Sequence, residues 1–170
     1  LESAGDAAAP RTTALRGAAD AWLAQDRADE ALPLYQEAAR IAPEPGAAGW
    51  ARLGAAQAHA HQGQTDAALA ELARLRKHSD PEVALQAALL EARLYAGDER
   101  WASVLTALEG ADAAALGPGW DASVIETRAA ALAEAAQAWH HAWRHRGVSH
   151  QSSAPIGRHR GHAEVLEVLL

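Results

Sequence analysis

The sequence reads as an all-α chain, an array of about three antiparallel helix pairs closed by a C-terminal capping helix. Three observations carry this. Roughly a quarter of the residues are alanine while Val, Ile and Thr are scarce, which favours helix and disfavours sheet. Ala31, Tyr35, Ala38 and Pro43 stand at spacings of four, three and five; small residues facing one aromatic let two helices approach closely, and the proline ends the second. The alanines Ala31, Ala68 and Ala102, beside the expected turns, recur 37 and 34 residues apart. A unit that buries one side of each helix cannot stand alone and implies stacked neighbours of its own kind.

Residues 1–11, with Gly5 and Pro10, read as a linker or frayed end. The helical-repeat domain is expected over residues 12–146. Its first helix is predicted from Thr13 to Gln25, with Leu15, Ala18, Ala19 and Trp22 on one face. Its partner follows Asp26 or Asp29, either of which can cap free N–H groups, and Pro43, Pro45 and Gly46 stop it. The second unit begins at Trp50-Ala-Arg-Leu53-Gly54, runs through Ala56 and Ala60 to a turn at Gly63, and returns with Ala68, Leu69, Leu72 and Leu75. Ser79-Asp80-Pro81-Glu82 supplies a cap followed by proline at the first helical position. The third unit carries Leu85, Ala88, Leu89 and Ala92, turns at Gly97-Asp98 and resumes with Trp101, Val104, Leu105 and Leu108. After the break Gly117-Pro-Gly-Trp120, a longer helix is predicted from Asp121 to His145, with Ile125, Ala129, Leu132, Ala136, Trp139 and Trp143 as its packing stripe. Residues 147–170 read as a flexible, basic, histidine-rich tail ending in Val-Leu-Leu, and are expected to be truncated, foreign or completed by a missing partner. With no methionine and Leu at position 1, the chain is expected to be processed or excerpted from something longer.

These residues resemble the tetratricopeptide repeat family, whose pattern is Trp, two residues, Leu-Gly, then Ala, three residues, an aromatic, and Pro. Ala31, Tyr35 and Pro43 match its second half in unit one; Trp50, Leu53 and Gly54 match its first half in unit two. Gln57 replaces the family's tyrosine, and the third unit packs with Leu and Val instead. The resemblance implies a right-handed superhelix, an α-solenoid, whose first helices line a concave groove. It implies a non-catalytic scaffold that takes a protein or peptide there. The groove candidates are Arg16 and Asp20 in unit one, Arg52, Gln57 and His61 in unit two, and Glu91 and Tyr95 in unit three. The subgroup that clamps a chaperone's terminal carboxylate needs lysine, arginine and asparagine on first helices; this chain has no asparagine, and its one lysine, Lys77, is on a second helix.

Composition narrows the function classes further. A net charge of −7 argues against nucleic acid, because a phosphate-binding face needs a basic surplus. Residues 1–138 hold twenty acids against eleven bases, while residues 139–170 hold two acids, four arginines and six of the nine histidines. With no cysteine there is no disulfide framework, thiolate nucleophile or cysteine zinc site. No window is long and apolar enough to cross a bilayer.

His141 and His145, four apart on a predicted helix, have metal-ligand spacing, but no glutamate base or third ligand accompanies them. Arg144, Arg146, Arg158 and Arg160 read as solvated tail charges, and the tryptophans as core fillers in a chain without phenylalanine. Asp29, Glu30, Asp80, Asp98 and Glu99 fall at helix starts, where the helix dipole explains them. No catalytic residue, metal or cofactor is expected. The partner is a protein or peptide, within a larger bacterial assembly such as a polysaccharide-export or envelope protein, and the periplasm is favoured over the cytoplasm. Self-association through the C-terminal helix is a further expectation. The alternatives are a sensing or dimerisation module of a regulator and, behind it, a histidine metal-site enzyme.

Overall fold

The computed structural model describes residues 4–109 and 118–146. All regular structure among them is helical: α1 (Ala4–Leu23), α2 (Ala28–Ile41), α3 (Pro45–His61), α4 (Thr65–Leu75), α5 (Pro81–Gly97), α6 (Trp101–Leu108) and α7 (Pro118–Arg146). Each helix packs on the next in sequence, and a second set of contacts joins α1 to α3, α3 to α5 and α5 to α7. The odd helices therefore form one continuous layer, as a repeat array requires.

The repeat is set by its turns. Asp26, Gly63 and Glu99 adopt φ of 60°, 72° and 57° and stand 37 and 36 residues apart. The following residue, Arg27, Gln64 or Arg100, donates its N–H back to the carbonyl of Trp22, His59 or Tyr95 and starts the second helix. Only glycine takes this left-handed conformation freely. At Asp26 and Glu99 the turn is held by its hydrogen bonds instead, so neither position is visible as a glycine signal. Counting from these turns, Ala31 and Ala68 correspond to Val104, and Ala102 does not belong to the set. All three equivalent residues are essentially inaccessible. The interval expected to be 34 is 36.

Nine residues after each turn residue come Tyr35, Leu72 and Leu108, each at most 1 % exposed. They anchor three successive core clusters. Tyr35 packs with Ala19, Ala28, Ala31, Ala55 and Ala58; Leu72 with Leu53, Ala56, Leu75, Val83 and Ala87; Leu108 with Leu85, Leu89, Ala92, Val104 and Val124.

Several local expectations are corrected. The frayed end placed at residues 1–11 is helical from Ala4, with Pro10 inside α1. Pro10 is exposed, where water can replace the backbone bond its ring removes. Asp26 and Asp29 do not cap α2, whose N-cap is Arg27 without a side-chain bond. Asp26 is the left-handed turn residue, and Asp29 accepts from Gln62 Nε2 at 2.7 Å. Pro45 and Gly46 begin α3 rather than stopping its predecessor, since proline at the first helical position forgoes a donor that is free anyway. Asp80 does cap α5, accepting from the N–H groups of Glu82 and Val83 at 2.9 and 3.4 Å.

The face of α7 also differs from expectation. Val124, Ala131 and Ala135 are buried against the array, while Ile125 is 63 % exposed and Leu132, Ala129 and Ala136 are exposed. The predicted stripe is rotated roughly 110° from the buried one, at about 100° per residue. The side chains of Trp139 and Trp143 lie outside the described residues, as does the tail 147–170.

Candidate groove between the first helices

Tyr35 reaches across its own repeat to build the floor of the groove. Its ring lies on α3 at Gly54, where a Cβ would stand 2.2 Å from Cε1. Its hydroxyl donates to Asp20 Oδ1 on α1 at 2.5 Å. Burial, and then this hydrogen bond to a carboxylate, push the phenol well above its ordinary pKa.

Over that floor opens a cleft of about 750 Å³, lined by Asp20, Leu23 and Ala24 of α1, Gln57, Ala60 and His61 of α3, and Leu90, Arg93 and Leu94 of α5. Asp20, Gln57 and Arg93 each stand six residues before the positive-φ turn residue of their unit. They are one structural position repeated three times, carrying an acid, an amide and a guanidinium in order. Ala19, Ala56 and Ala92, one residue earlier, are fully buried behind them, which explains how three helices come close enough to share one cleft.

Of the expected groove residues, Asp20, Gln57 and His61 meet here. His61 stands at the rim, with Nδ1 3.3 Å from Asp26 Oδ1. Arg16 is adjacent, its guanidinium 5.9 Å from the Trp50 ring and close enough to favour the Tyr35 phenolate electrostatically.

The other candidates sit elsewhere. Arg52 lines a separate cleft between α2, α3 and α4, with Nε 3.9 Å from Glu71 Oε1. Glu91 is buried and accepts from Arg76 Nη1 at 3.3 Å, tying α5 to the end of α4. Tyr95 packs on the third cluster, and Arg100 stacks 4.5 Å from its ring centroid. Leu23, Ala24, Leu90, Arg93 and Leu94 were not among the sequence candidates. Counting back from the turn residues finds Arg93 directly, but Glu99 does not announce its turn.

The described residues contain no group of three or more His, Cys, Asp or Glu side chains placed to hold a metal ion. His141 is exposed, and the side chain of His145 lies outside the described residues. No helix of the described residues is long and apolar enough to cross a membrane.

Turns of one geometry, equivalent buried anchors and a layer of first helices define a helical-repeat protein. A family model of the tetratricopeptide repeat matches residues 23–92, from the end of α1 through most of α5. Within that match lie the Tyr35–Gly54 contact and the cleft residues of α3, together with Leu90. No curated protein and no solved structure matches the chain significantly.

Proposed function

We propose that this protein is a non-catalytic scaffold that holds a segment of another protein in the cleft between α1, α3 and α5. Tetratricopeptide repeats mediate protein–protein interaction, and the observation that carries the reading here is the convergence of Asp20, Gln57 and Arg93 on one open cleft. A repeated position that faces solvent is not needed for packing. Here it varies in charge from unit to unit while the alanine behind it stays constant, as expected where the scaffold is fixed and the ligand contacts are not.

Ala24 is exposed and lines the cleft without entering the core. Ala24→Trp should fill the cleft and leave the fold intact. Peptides selected on the wild-type protein should lose binding to this variant in fluorescence anisotropy, and equal binding to both proteins would remove the cleft as the site.

A further inference from the structure

We infer that the segment taken by the cleft carries an acidic residue two positions from a bulky apolar one. This rests on the reading of the cleft as the binding site and adds the chemistry of its occupant.

Arg93 is exposed and makes no ion pair or hydrogen bond among the described residues. Arg11, Arg27, Arg40, Arg52, Arg74 and Arg76 each pair with a glutamate, and Arg16 and Arg100 lie over aromatic rings. In an acidic protein of net charge −7, a cation left unpaired inside a cleft stands out. The acid nearest to it by position in the repeat, Asp20, belongs to the far helix of the cleft and already accepts the Tyr35 hydroxyl. The remaining titratable groups lining the cleft are Tyr35, bonded to Asp20, and His61, whose Nδ1 lies 3.3 Å from Asp26 Oδ1; Arg16 is adjacent, over Trp50. Arg93 is therefore the arginine lining the cleft whose donors are unused among the described residues, and a guanidinium matches a carboxylate in a two-bond fork.

Leu90 and Leu94 flank Arg93 on α5, and Leu23 adds apolar surface from α1; all three are only half-buried. Residues three apart on a helix are about 5–6 Å apart at Cβ. In an extended segment, residues two apart face the same side at roughly 6.5–7 Å. An acid on Arg93 and an apolar side chain on Leu90 thus match positions i and i+2 of an extended chain, in either direction. Gln57, between them and Asp20, offers both a donor and an acceptor to the peptide backbone.

The test is selection of a random dodecapeptide library on immobilised wild-type, Arg93→Glu and Ala24→Trp proteins at physiological salt. Wild type should enrich Asp or Glu two positions from Leu, Ile, Met or Phe. Arg93→Glu should exchange that acid for Lys or Arg while keeping the apolar residue. A synthetic wild-type-selected peptide should bind Arg93→Glu about tenfold more weakly. If Arg93→Glu enriches the same acidic sequences and Ala24→Trp loses them, the charge assignment is wrong while the cleft stands. If Ala24→Trp enriches them too, or nothing exceeds an empty support, both fall.

Discussion

The Tyr35 ring occupies the space that a side chain at position 54 would need: a Cβ on Gly54 would stand 2.2, 2.5 and 2.6 Å from three ring carbons. The next repeat solves the same problem differently. Leu72 takes the place of Tyr35, Leu90 takes the place of Gly54, and both belong to one core cluster. A large ring against no side chain in one interface becomes two medium side chains in the next, so the contact is filled from both helices rather than from one.

Gly54→Ala should therefore destabilise the protein more than a surface glycine change, by about 1–3 kcal/mol from overpacking against a ring that cannot move. Tyr35→Ala should cost about 3–5 kcal/mol by leaving a cavity. The two defects should offset each other in the double variant Tyr35→Ala, Gly54→Ala, whose loss should be smaller than the sum of the two single losses. Urea denaturation of the four proteins reads the coupling, and strict additivity would show that the contact is not what fixes the spacing of α2 and α3.

The Tyr35–Asp20 bond gives the fold a dependence on alkaline pH. Burial and the bond hold the phenol proton above the ordinary value of 10.0 in the folded chain only. Above pH 10 the unfolded chain releases a proton that the folded chain keeps, so stability is complete below pH 10 and declines as pH rises beyond it, by up to about 1.4 kcal/mol per pH unit. Tyr95, raised first by burial and then by the Glu91 charge, adds a contribution of the same sign. Thermal melts between pH 8 and 11.5 should show a shallower decline for Tyr35→Phe than for wild type. Identical slopes would mean that burial and the Asp20 bond do not hold the Tyr35 proton in the folded chain.

What could be read from residues alone was the close approach of helices. Ala31, Tyr35, Ala38 and Gly54 lie within a few turns of one another, and their sizes state the contact directly. The sequence points to Ala102 in place of Val104 because the third turn uses Glu99, which carries no glycine signal, and the register slips by two. The same kind of slip misplaced Arg52 and Glu91, because one residue along a helix is a rotation of about 100°. A side chain assigned to the groove then belongs to the opposite wall. The cleft itself depends on three helices distant in sequence, and only the turn geometry aligns them.

Helix α7 shows how size misleads. Ile125 and Leu132 are the larger apolar residues, yet Val124, Ala131 and Ala135 are the ones packed on the array, because a close helix crossing admits small side chains. Ile125→Ser should alter stability by less than about 0.5 kcal/mol, as at other exposed sites. Val124→Ala removes buried volume and should cost about 1–2 kcal/mol. Denaturant midpoints of the two variants decide which face packs, and the opposite ranking would reverse the orientation of α7.

Arg76 and Glu91 form the one ion pair among the described residues with a carboxylate below a tenth exposed; the Glu91 side chain is 8 % and the Arg76 side chain 29 % accessible. Arg76 Nη2 also donates to the carbonyls of Thr106 and Glu109 at 3.4 Å, so one guanidinium joins the end of α4, the middle of α5 and the end of α6. Arg76→Ala would leave a buried carboxylate without its partner and two carbonyls without a donor. Because the arginine is partly solvated, the cost should be about 2 kcal/mol rather than the full penalty of a sealed pair. The loss should fall on the last repeat: hydrogen exchange should quicken in α6 while the amides of α2 and α3, two interfaces away, keep their protection. Uniform loss of protection across the whole array would instead mean that the repeats unfold as one unit.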